Sequence, residues 1–148
     1  MKKEANVTLS VPARPEFVDL VRLTLYGVAV KMSFSYEEIE DMKVAVSEAC
    51  NNAVLHAYAD DEEEGSVDIR FDILDEGELQ ITVRDSGQSF RPSDHFHSSS
   101  LHGKSIEEIQ SGGLGLYLMQ ALMDSVEVRT DQGTAVILTK RRAAAEQV

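Results

Sequence analysis

The sequence predicts an α/β domain of the α+β kind, and three observations predict it. Two pairs of segments alternate apolar and polar residues about short turns, the pattern of antiparallel hairpins. Longer segments repeat apolar residues at i, i+3 and i+4, the spacing of helices that bury one face. The chain has 148 residues, 43% hydrophobic and 27% charged, the length and composition of one soluble globular domain.

Charge narrows the partners. Lys and Arg number 14 against 26 Asp and Glu, a net charge of −12. That disfavours nucleic-acid phosphates and anionic membranes as main partners and favours a basic protein. The single cysteine, Cys50, precludes an internal disulfide and reads as a packing residue. No apolar run approaches the ~20 residues of a membrane span. The start, MKKEANVTLS, lacks a signal-peptide apolar core, so a cytosolic location is expected.

In chain order, Val7, Leu9 and Val11 alternate with Thr8 and Ser10 as a half-buried strand that Pro12 ends. Pro15 suits the first turn of a helix whose stripe is Phe17, Leu20, Val21, Val28 and Met32. Arg22 and Tyr26 fall on its outer side. Arg22 is a candidate anchor for a protein partner, set against the plainer reading of a solvated charge.

The longest helix is expected from Tyr36 to Tyr58, with Ser35 and Glu38 forming a capping box at its start. Ile39, Met42, Val46, Ala49, Cys50, Ala53 and Ala57 make its core stripe. Glu48 and Asn52 lie one turn apart on the opposite side, among Val44, Ala45 and Leu55. Alone, such a pair more often marks a solvated face; on a second apolar face it marks a lined pocket. After the acidic DDEEEG loop, Val67 to Ile73 and Leu79 to Val83 alternate about a turn at Asp75–Gly77. This hairpin delivers the chain to Asp85-Ser86-Gly87.

Residues 88–111 have no clean period and hold His95, His97 and His102 without a partner cysteine. They read as a loop of solvated histidines rather than a zinc site, with a short helical turn at Ser105 to Ile109. Gly112, Gly113 and Gly115 then open a helix through Leu116, Met119, Leu122 and Met123, whose first N–H groups suit an anion. Strands at Val126 to Thr130 and Thr134 to Lys140 flank the Asp131–Gly133 turn, and RRAAAEQV reads as a tail.

Three features in this order can hold a purine nucleotide. Asp85 can accept the exocyclic amine of adenine, Gly87 leaves room for the base, and the Gly112–Gly115 turn can cradle phosphates. Asn52 offers magnesium a neutral oxygen, which phosphates and water complete. The P-loop pattern and the dinucleotide fingerprint are both absent.

With these residues in view, the sequence resembles the Bergerat-fold ATPase superfamily of gyrases and histidine kinases. Within it, SEACNNAVLHAY, RDSG and GGLGLYLM look like the anti-sigma-factor serine kinases, over a span from Pro12 to Lys140. The resemblance implies a two-layer sandwich, a mixed and mainly antiparallel sheet with helices on one face. It implies one ATPase domain over residues 1–140, with an ATP lid at about 88–111 and a tail at 141–148. Glu48 matches the catalytic base and Asn52 the magnesium ligand. Asp85 matches the adenine-binding aspartate, with Gly87 beside it. Gly113, Leu114 and Gly115 match the phosphate loop, and Thr139 a position supporting the adenine–aspartate–water network. One departure is Ser89, where the family's D-x-G-x-G has its second glycine. ATP and magnesium are thereby implied. So are a sigma factor held from RNA polymerase, an anti-anti-sigma protein phosphorylated on serine, and a homodimer, with no direct nucleic-acid or membrane contact. The rival is a nucleotide-dependent binding module without kinase activity, which would have no use for Glu48.

Overall fold

Alternation along each strand decides what the sheet buries. The computed structural model describes residues 3–59, 65–85, 114–130 and 133–143. Strands β1 (Lys3–Pro12), β2 (Ser66–Leu74), β3 (Glu78–Asp85), β4 (Ser125–Arg129) and β5 (Thr134–Arg141) form one sheet. Its order is β1-β2-β3-β5-β4, and every pairing among the described residues is antiparallel. The antiparallel part of the expected sheet is therefore present and no parallel pair is seen. Val67, Ile69 and Phe71 of β2, Leu79, Ile81 and Val83 of β3, and Val136 and Leu138 of β5 are buried on one face. Helices α1 (Val18–Lys31), α2 (Tyr36–Ala59) and α3 (Leu114–Leu122) cover it. The opposite face carries Ser10, Asp68, Arg70, Thr82, Arg84 and Arg129. Among the described residues the result is two layers, with helices on one face.

Of the expected α1 stripe, Val21, Val28 and Met32 are buried and Phe17 packs against the core, whereas Leu20 is not part of it. The buried stripe of α1 is Val18, Val21, Leu25, Val28 and Ala29, while Leu20 is 45% exposed. A 3₁₀ turn over Pro15–Phe17 precedes the helix, and Leu20, about 100° around it from Val21, falls off the buried stripe. At the far end Ser33 takes φ 65°, and the Phe34 amide donates back to the Ala29 carbonyl at 3.1 Å, tucking Phe34 into the core.

Local chemistry sets the start of α2. Ser35 Oγ accepts from the Glu38 amide at 3.1 Å, and Glu38 Oε1 accepts from the Ser35 amide at 2.7 Å. This is the reciprocal capping box, which satisfies two amides the helix itself leaves unpaired. Ile39, Met42, Val46, Ala49, Cys50 and Ala53 are buried along the helix; the side chain of Ala57 lies outside the described residues. Burial pushes the Cys50 thiol up to about 12, against the pull of the Arg22 charge.

The segment expected as a tail from residue 141 is ordered at its start. Arg141 closes β5 and ion-pairs with Glu78 at 2.9 Å. The Arg142 amide donates to the Gly77 carbonyl at 2.8 Å, and its guanidinium to the Met32 carbonyl at 2.7 Å. The Ala143 amide donates to the second oxygen of Glu38 at 2.9 Å. These bonds clip the β2–β3 turn to the corner between α1 and α2. No apolar period announces them, because they are made by backbone and charge.

Candidate nucleotide site

The first half of the site is a close crossing of two helices. Gly115, in the first turn of α3, faces Glu48 and Asn52 on α2. A Cβ built there would stand 2.8 Å from Glu48 Oε1 and 3.6 Å from Asn52 Nδ2. A side chain at this position would displace the Glu48 carboxylate, so glycine leaves the helix start and the carboxylate directly facing one another. The i, i+4 spacing puts Glu48 and Asn52 one above the other on the face that meets α3. Both are half-buried. Three residues expected at one site from separate stretches thus meet. The apolar surround does not close as expected: Ala45 is buried, but Val44 and Leu55 are exposed.

The second half lies at the end of the sheet. Asp85 is the last residue of β3 and follows Leu79, Ile81 and Val83 on the helix-covered face. It is 2% exposed, and a carboxylate so placed among apolar side chains calls for polar company. Directly across the ladder stands Thr134, 6% exposed, whose buried Oγ1 has no hydrogen-bond partner among the described residues. An orphaned buried hydroxyl beside a buried carboxylate is the state of a site made for a polar ligand. Gly133 makes the approach possible: its φ is +80°, and a Cβ there would lie 2.9 Å from the Asp85 carbonyl.

Thr134 is the residue the sequence reading missed, and Thr139 the one it misplaced. Thr139 pairs with Gln80 and Ser125, five residues along β5 from Thr134. An odd separation turns it to the opposite face of the sheet, away from Asp85. Strand parity counted from the β3 partner would have singled out Thr134.

Arg22 is not a freely solvated charge. It donates to Ser47 Oγ at 2.9 Å and pairs with Asp19, tying α1 to α2 one residue before Glu48. Leu114 is the exposed first residue of α3. Gly87, Gly112, Gly113, Ser89, the lid at 88–111 with its three histidines and helical turn, and the tail beyond 143 lie outside the described residues. Among the described residues no group of three or more His, Cys, Asp or Glu forms a metal cluster, and no helix is long and apolar enough to cross a membrane.

The sequence profile of the histidine kinase-like ATPase domain matches residues 11–140, a span that includes Glu48, Asn52, Asp85, Gly115 and Thr134. The chain belongs to this family. Relatives within it are named serine-protein kinase RsbW. The protein of Bacillus licheniformis is 46% identical over 143 residues, covering 95% of this chain and 88% of the relative. That of Bacillus pumilus is 48% identical over 139 residues, covering 90% and 84%. That of Bacillus subtilis is 46% identical over 145 residues, covering 95% and 88%. Among solved structures, the RsbU and RsbW domains of a Mycobacterium tuberculosis protein superpose with a TM-score of 0.67 at 22% identity. The match covers 94% of this chain and 32% of that one, and it shows the shared ATPase fold.

Proposed function

We propose that this chain is an ATP-dependent serine-protein kinase of the RsbW kind. It sequesters a sigma factor from RNA polymerase and phosphorylates a serine of that factor's anti-anti-sigma antagonist. The observation that carries the kinase reading is the contact of Gly115 with Glu48 and Asn52, a carboxylate where a nucleotide's phosphates would meet a helix start. The names of relatives 46–48% identical over nearly the whole chain supply the reaction class.

Each residue then has a task. Asp85 accepts from the exocyclic amine of adenine, and Thr134, otherwise unpartnered, completes the polar contact to the base or a water beside it. Gly87, Gly113, Leu114 and Gly115 shape the phosphate end, and the stretch 88–111 serves as the lid. A carboxamide beside a carboxylate fits magnesium's preference for oxygen ligands, so Asn52 is the residue that would hold the ion. When bound, magnesium neutralises charge on the phosphates. Glu48 orients the serine hydroxyl and takes its proton as the oxygen–phosphorus bond forms and the bond to the β–γ bridging oxygen breaks, releasing ADP. Phosphoryl transfer asks mainly for positioning, which the rigid crossing of α2 and α3 supplies. The protein acts in the cytoplasm as a homodimer.

Transfer of γ-labelled phosphate from ATP to the purified anti-anti-sigma protein of the same organism tests this. Label on serine, dependent on magnesium and absent in Glu48→Gln, is the expected result. Tight nucleotide binding with no label on any protein serine would leave only a nucleotide-dependent binding module.

A further inference from the structure

The two helices whose crossing forms the phosphate end of the site are tied again at their far ends, by one side chain. Lys140 lies on the helix-covered face of β5, in step with Val136 and Leu138. Its Nζ donates to the carbonyl of Leu122, the last residue of α3, at 2.7 Å, and stands 3.9 Å from Asp41 Oδ2 on α2. That carbonyl is one the helix itself leaves unpaired, at the end where a cation is favoured. The lysine side chain is only 14% exposed, so water competes little for its charge. Asp41 comes seven residues before Glu48, and Leu122 seven after Gly115. Seven residues are two turns, about 10 Å, and return to the same face within about 20°. The Lys140 tie and the Glu48–Gly115 approach thus stand at opposite ends of one antiparallel helix pair.

We infer that Lys140 is a positioning residue for the nucleotide site, setting how α2 and α3 cross where Gly115 meets Glu48 and Asn52. The inference rests on the nucleotide reading above. Two contacts two turns apart fix both the spacing and the angle of a helix pair, whereas one contact leaves the angle free. The packing between them fixes it poorly. Ala45 and Met119, buried at the intermediate turns, offer a methyl group and a flexible thioether that adapts to its surroundings. The charged tie is directional and joins three elements at one atom. Other bonds also anchor the end of α3: the Asp124 amide donates to the Thr139 carbonyl at 2.8 Å, and the Arg141 amide to Asp124 Oδ2 at 2.6 Å. Those bonds hold α3 to the sheet, whereas Lys140 also reaches α2. Without its ammonium, α3 keeps its anchor on β5 and swings at its start, moving the phosphate end of the site and not the Asp85–Thr134 end.

The test uses the full chain and compares wild type with Lys140→Met, Lys140→Arg and, as a neighbour control, Arg141→Ala. Each is titrated with adenosine, which fills only the sheet end, and with Mg-ATP, which also reaches the crossing. Lys140→Met should weaken Mg-ATP binding about tenfold and leave adenosine binding unchanged. Lys140→Arg, which keeps a cation, should recover most of the loss, and Arg141→Ala should match wild type. A folded Lys140→Met that binds Mg-ATP as wild type does overturns the inference. So does an equal loss for adenosine and Mg-ATP, the mark of general loosening, or a Lys140→Arg as weak as Lys140→Met. If Lys140→Met does not fold, Asp41→Asn decides: it weakens one arm of the tie and should lower Mg-ATP affinity alone, and no loss there overturns the inference. A wild type that binds neither ligand removes the nucleotide site itself, an outcome distinct from a binding wild type indifferent to Lys140.

Discussion

The two faces of this sheet are built from the same strands yet hold their charges in opposite ways. On the open face, most charges are matched by a neighbour: Arg70 with Asp72 at 2.9 Å, Arg129 with Glu127 at 2.7 Å, Asp68 with the Ser10 hydroxyl at 2.7 Å. On the helix-covered face the layer is apolar until its end, where Asp85 and Thr134 stand side by side and one hydroxyl has no partner. Polar groups satisfied within a protein have little left for a ligand, whereas a buried group without a partner is poised to gain one. Counting charges would have pointed to the open face. Two buried side-chain oxygens are orphaned among the described residues, Asp75 Oδ1 in the β2–β3 turn and Thr134 Oγ1, and the one that stands beside a second buried polar residue on the sheet points to the covered face.

The comparison breaks most visibly at Glu48. Glu48→Gln should bind Mg-ATP nearly as tightly as wild type by calorimetry while phosphoryl transfer falls by roughly 10²–10⁴. Transfer at the wild-type rate would show that positioning alone does the chemistry. Next comes the covered end of the sheet. Asp85→Ala should weaken ATP binding about tenfold or more, since it leaves a buried donor of the base unpaired. Thr134→Val should weaken it less, and Thr139→Val, on the other face, should leave it unchanged. Equal losses at 134 and 139 would refute the assignment by parity.

A smaller effect concerns acid. Burial alone would raise the Glu38 carboxyl, but hydrogen bonds from the Ser35 and Ala143 amides and the Ser35 side chain, with the Lys140 charge, outweigh it and hold it below the ordinary carboxylate range. A folded-state value below the unfolded one means that the stabilisation is complete above the unfolded pKa and is lost as pH falls through the folded one. Glu38→Gln, which keeps a capping oxygen but loses the charge, should therefore lower stability slightly near neutral pH, with the gap to wild type closing on acidification. Urea unfolding at the two ends of that range measures it. Smallest of all, Arg129→Ala should change stability by less than about 0.5 kcal/mol and nucleotide affinity not at all, because its pair with Glu127 is exposed.

How much was legible in the sequence follows from how far each determinant reaches. The α2 helix was readable because its cap and stripe are contained within the helix and its flanking residues. The β2–β3 hairpin was readable because period two survives any register. Leu20 was misread because its apolar character alone does not put it on the stripe: it lies about 100° around α1 from Val21, towards solvent. Thr139 was named from the resemblance, and Thr134 was not, because facing requires the β3–β5 register, a pairing across more than 40 residues. The clip at Arg142 and Ala143 was invisible because hydrogen bonds leave no period. In the site, residue types and order pointed to Glu48, Asn52 and Asp85. That Gly115 brings a helix start against Glu48 and Asn52 needed the packing.

The buried sulfur of Cys50 has a use that concerns time rather than structure. A thiol pushed up to about 12 holds almost no thiolate at neutral pH, and on α2 it is buried in the core. Alkylating reagents can reach it only while that helix is lifted away. Its labelling rate is therefore a stopwatch for openings of the helix that carries Glu48 and Asn52. A ligand that bridges α2 and the sheet end should slow the watch by a factor of one plus its concentration over its Kd. One unreactive atom thus converts nucleotide affinity into a chemical half-life, with no engineered probe.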